Sequence, residues 1–108
     1  MKKIIEDNYG FIKQCVNTTL AELYDLQDAL DQANINDSKA DTFSKVASSY
    51  EDLRRRLIEG KLEEKDYSSI EVILLHRERV LREKRADTEK ALALFLEKQD
   101  EIIQGLKN

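Results

Sequence analysis

Positions 5–33 read IEDNYGFIKQCVNTTLAELYDLQDALDQA, and this stretch decides the fold. Ile5, Tyr9, Ile12, Val16, Thr19, Leu23, Leu26, Leu30 and Ala33 follow one another in alternating steps of four and three. That is a heptad seam, interrupted only by the polar Thr19. A second stripe of Met1, Ile4, Phe11 and Cys15 runs beside it and stops where Glu22, Asp25, Asp28 and Asp31 begin. A wide apolar arc suits a helix touching two neighbours, a narrow one a helix touching a single neighbour. The pattern predicts one helix over 3–33, apolar on a broad face early and on a narrower face late. Gly10 weakens it by about 1 kcal/mol relative to alanine.

The next turn signals are Asn34, Ile35, Asn36, Asp37 and Ser38. Asp37 or Ser38 can cap a second helix, and Asp41 then sits in its first turn, where a negative charge suits the helix dipole. Phe43, Val46, Ala47, Tyr50, Leu53, Leu57 and Ile58 line one face of this helix over 38–59. Gly60 follows as its C′ residue. The polar stretch 61–67 reads either as a loop or as a frayed extension. Ser68 and Glu71 then form a capping box for a third helix over 69–104, with Gly105 as terminator.

An unbroken third helix would be about 54 Å long, against about 33 Å for the second. Its ends are apolar and its middle, 76–90, is mostly charged, with Val80, Leu81 and Ala86 its apolar residues. Ion pairs at spacing four, such as Glu78 with Arg82, can hold such a stretch helical in solvent. A break at 85–87 would turn the third helix into two.

Composition agrees with the pattern. The 108 residues include three glycines and no proline, too few turn residues for a β architecture. The fold class expected is therefore all-α: an antiparallel three-helix or four-helix bundle with long coiled-coil-like helices, forming one domain over 1–108. One cysteine cannot form an internal disulfide. No apolar run approaches membrane-spanning length, and the basic start at Lys2 and Lys3 meets Glu6 and Asp7 rather than a signal-peptide core. A cytoplasmic protein with no membrane partner is expected.

Charge is unevenly spread. Residues 1–53 carry a net −5 and residues 54–108 a net +1. Basic residues gather at Arg54, Arg55 and Arg56 and again at Arg77, Arg79, Arg82 and Arg85. The stretch 54–90 is nonetheless only +2 overall, because acids are interleaved. Interleaved acids repel phosphates, so a solvated salt-bridged face is favoured over a nucleic-acid surface.

Catalytic and cofactor motifs are poorly represented. Zinc sites need three or four ligands, and His76 and Cys15 are the only residues of their types. A Cys15–His76 nucleophilic pair would rest on two single residues without a motif. The acidic stripe lacks the Glu-x-x-His pairs of di-metal bundles. Glycines at 10, 60 and 105 cannot assemble a phosphate loop. No cofactor, metal or small-molecule substrate is expected, and the chain reads as non-enzymatic.

The expected function is a small helical protein–protein interaction module: an adaptor, chaperone, inhibitor or other regulator. The overhang of the third helix predicts self-association, most simply as a homodimer, through Leu92, Phe95, Leu96, Ile102 and Ile103. A second protein partner would use the same helix faces. Arg54–Arg56 and Arg77, Arg79, Arg82 and Arg85 form the candidate charged face. The alternative is a nucleic-acid-associated regulator using the basic residues of 54–56 and 77–90.

Overall fold

The computed structural model describes residues 2–33, 38–83 and 89–107, and they form an all-α fold. The helices are α1 (Lys3–Asp7), α2 (Tyr9–Gln32), α3 (Ser38–Glu59), α4 (Glu64–Glu83) and α5 (Glu89–Lys107). The heptad seam of α2 organises the rest. α3 packs antiparallel along it, with Arg54 reaching Asn17 at one end and Gln27 reaching Ser44 at the other. α4 packs on a second face of α2. α5 runs back along α4 and lies against α1.

The expected first helix is broken at Asn8. Its side-chain amide donates to the Ile4 carbonyl at 3.0 Å, and its backbone leaves the helical region at φ −120°. An asparagine that bonds the carbonyl four residues back competes with the backbone ladder. Asn8 is itself buried, and Lys98 of α5 donates to its side-chain oxygen at 3.2 Å. The break therefore also anchors α5.

The expected third helix is two helices. α4 and α5 are about 30 Å and 28 Å long, and they pack side by side as a hairpin. Leu81 and Phe95 line one cleft between them, while Tyr67 and Leu106 meet at the opposite end. The straight rod is therefore absent, although the break expected at 85–87 lies outside the described residues. Folding back lets Phe95 and Ile102 enter the same core as Ile70, Ile73 and Leu74. A straight rod would have left them uncovered.

α4 begins at Glu64, five residues before the expected helix start at 69. The reason is Asp66, which accepts a hydrogen bond from the Glu63 N–H at 2.8 Å. This is the reciprocal half of a capping box, with the carboxylate at the third helical position. Leu62 and Tyr67 flank it and both pack on the core, the arrangement of a hydrophobic staple. The preceding helix ends as read. Gly60 takes φ +70°, its N–H bonds the Leu57 carbonyl, and the Lys61 N–H bonds the Arg56 carbonyl. Those two bonds define a Schellman ending, for which glycine is the unstrained residue.

Gly105 does not terminate α5. It lies inside the helix at its closest approach to α1, where a Cβ would stand 2.5 Å from Ile4 Cγ1. Beside it Lys2 Nζ donates to the Leu106 carbonyl at 2.5 Å.

Burial is uneven. Ile5, Ile12, Val16, Leu20, Leu53, Leu57, Ile70, Ile73, Leu74 and Ile102 are each 1% exposed or less. Over 21–32 of α2 and 41–46 of α3 no residue is fully buried. Those parts of α2 and α3 form a two-helix arm that continues beyond the body. The chain measures 44 × 38 × 19 Å, with a radius of gyration of 15.1 Å. A compact domain of this length would be near 13 Å. No helix among the described residues is long and apolar enough to cross a membrane.

Candidate functional site

Two charged clusters tie the helices together. At the α3–α4 corner, Arg56 makes a two-pronged pair with Asp66, at 2.8 Å from Nε and 2.7 Å from Nη2. Asp66 is 2% exposed. Burial pushes its carboxyl up, but the bonds from Arg56 and the Glu63 N–H outweigh that and hold it below the ordinary aspartate value. At the junction of body and arm, Arg77 Nη2 donates to Glu22 Oε1 at 2.6 Å. His76 Nε2 lies 3.3 Å from Glu22 Oε2, and Arg79 Nη2 lies 3.3 Å from His76 Nδ1. With Arg79 donating to Nδ1, the imidazole carries its proton on Nε2 and donates to Glu22. Burial raises the Glu22 carboxyl, but its bonds to Arg77 and His76 outweigh this and bring it below its ordinary value.

These clusters divide the expected charged face. Arg56 and Arg77 turn inward to carboxylates. Arg54 bonds Asn17, Arg55 pairs with Asp52 at 3.7 Å, and Arg82 pairs with Glu78 at 3.1 Å. Arg79 meets His76 and no carboxylate among the described residues. Arg85 lies outside the described residues. The 54–56 group sits near the start of α4 and Arg79 near its end, 13 residues and about 20 Å along that helix.

The expected apolar interface is also divided. Phe95 and Ile102 are core residues of the chain itself, and the Phe95 ring lies 5.5 Å from that of Phe11. Leu92, Leu96 and Ile103 are half-buried. The large apolar residue of this helix that stands in solvent is Leu94, 65% exposed.

A second apolar opening lies elsewhere. α3 and α4 meet at the Arg56–Asp66 corner and then diverge over α2. Between them is a groove of about 420 Å³. Thr19 and Leu23 form its floor, Val46 and Tyr50 one wall, and Val72, Leu75, His76 and Arg79 the other. Val72 is 56% and Leu75 48% exposed. Sequence reasoning took the start of this helix as simply apolar and missed the groove. The available signal was that Val72 and Leu75 fall off the face carrying Ile70, Ile73, Leu74 and Arg77, and a helix apolar on more than one face has more than one neighbour to meet.

Cys15 is buried beside Arg77 in a small cleft on the α5 side. Burial pushes its thiol up to about 11, with the Arg77 charge opposing. The thiol is then protonated near neutral pH, and the thiolate is the nucleophilic form. The partners of His76 are Glu22 and Arg79. Among the described residues no group of three or more His, Cys, Asp or Glu is placed to hold a metal ion.

Compared with known proteins, the chain matches no family model, no curated protein and no solved structure.

Proposed function

We propose that this chain is a non-enzymatic protein–protein interaction module of the adaptor, chaperone or inhibitor kind, acting in the cytoplasm through its helix faces. One observation carries the reading. The groove between α2, α3 and α4 exposes Val72 and Leu75 and continues onto the unburied arm. Apolar surface left open along a continuous path is the usual mark of a surface that meets another protein. Its polar rim of His76 and Arg79 is what the edge of such a contact requires.

The nucleic-acid reading has less support. Arg56 and Arg77 are already neutralised by Asp66 and Glu22, and the remaining exposed arginines sit at separated positions among acids. A gel-shift titration over salt separates the two. The interaction reading expects no shift at low salt. A shift with a steep salt slope would replace it.

The direct test is capture of partners from the source cell with the wild-type chain and with Leu75→Asp. Loss of a specific bound protein in the variant supports the reading, provided circular dichroism shows the fold intact. An identical set of captured proteins would refute it.

A further inference from the structure

Resting on that reading, we infer that the partner seated in the α2–α3–α4 groove is the arm of a second copy of this chain, the two arms exchanged about a two-fold axis. The groove needs an amphipathic helix with one apolar stripe and an acidic edge. The arm supplies one. On α2, Leu26 and Leu30 continue the line that faces α4 lower down, but at Leu26 no helix covers it and the residue is 46% exposed. Asp25 borders this stripe on the flank away from α3, because one residue is a turn of about 100°. Asp25 pairs with no cation among the described residues, just as Arg79 on the groove wall meets no carboxylate.

Charge also fixes the arrangement. From Gln14 to Gln32 α2 carries four carboxylates and no lysine or arginine. Two arms laid directly on one another would set these rows of like charge face to face. Laying each arm instead against the other copy's α4 puts Leu26 and Leu30 over Val72 and Leu75 and brings Asp25 to Arg79. The same surface serves as donor and receiver, so a two-fold axis forms both contacts at once and closes the assembly as a dimer. The alternative opening beside Leu94 lacks this complement. Its charged residues are of mixed sign, and Lys98 is already engaged by Asn8 and Glu101.

Sedimentation velocity over about 5–200 µM tests this, since self-association depends on concentration. The wild-type chain is expected at twice its 12.6 kDa mass. Leu26→Asp and Leu75→Asp, both at solvent-exposed positions of the single chain, should give monomers with unchanged circular dichroism. Asp25→Arg and Arg79→Asp should each weaken the dimer about tenfold, and the double reversal should restore it to within about threefold. A wild-type monomer throughout the range overturns the proposal. So does a dimer that survives Leu75→Asp but is lost on Leu94→Asp, or a double reversal weaker than either single one. A monomer that still captures a foreign protein through Leu75 overturns this inference alone and leaves the interaction reading standing.

Discussion

The two halves of α2 carry one apolar pattern and have opposite fates. In the body Leu20 is 1% exposed; in the arm Leu26, six residues on, is 46% exposed. The body half is enclosed by α3, α4 and α5, while the arm half has α3 beside it. Periodicity defines which face of a helix can be buried; the number of neighbours decides how much of it is. The arm is in effect an isolated helix pair, tied across by the 2.7 Å bond from Gln27 to Ser44. The body is a packed core sealed at one end by Arg56 and Asp66.

Truncation should expose that contrast most strongly. Leu20→Ala is expected to cost about 3 kcal/mol in a urea melt, the range for a fully buried leucine. Leu26→Ala, measured where the chain is monomeric, should cost under about 0.5 kcal/mol, as exposed positions do. Equal losses would mean that body and arm form one cooperative core. Hydrogen exchange should agree, with arm amides at 24–32 exchanging well before those at 12–20.

Opening the sealed corner comes next. Asp66→Asn removes one partner of a largely buried ion pair, and a loss of about 2–3 kcal/mol is expected at neutral pH. The pH dependence has a definite sign. The Asp66 carboxyl is held below its ordinary value, so its stabilisation is fully present above the unfolded pKa of about 4 and is lost as pH falls through the lower folded value. Glu22 shifts in the same direction and adds to the acid-side slope. Thermal melts from pH 7 down to about pH 2 should show a shallower acid decline for Asp66→Asn than for wild type. Matching slopes would remove Asp66 from the account.

Two helical glycines give the smaller effects, in opposite directions. Gly105→Ala would drive a methyl into Ile4 and should destabilise by about 1–2 kcal/mol. Gly10 has open space around its Cβ direction, and Gly10→Ala should stabilise by about 0.5–1 kcal/mol. If the two alanines behave alike, the α1–α5 contact is looser than the distances state.

Much of this fold was legible in the chain. The wide early arc and narrow late arc of α2 anticipated its two environments, and the second helix lies where its face and Gly60 put it. The failures share a cause. Asn8 is absorbed into the helix expected over 3–33 because its break depends on its burial and on Lys98, 90 positions away. Asp66 read as part of a polar connector because its capping role is secured by Arg56 across a turn. Phe95 and Ile102 read as an outer surface because a charged helix middle looks the same whether the helix continues or folds back. The groove depends on the angle between two helices, and spacing along either one does not encode that angle.

The bond from Lys2 to the Leu106 carbonyl has a mechanical consequence. It places the two ends of the described chain side by side, with Ile4 pressed on Gly105 just inside them. A pull applied between those ends would not shear the bundle. It would peel α1 from α5 one contact at a time, as a zipper opens, while the arm stayed slack. The molecule would then yield early under tension and in a fixed order, with the arm at the far ends of α2 and α3 the last part to feel the load.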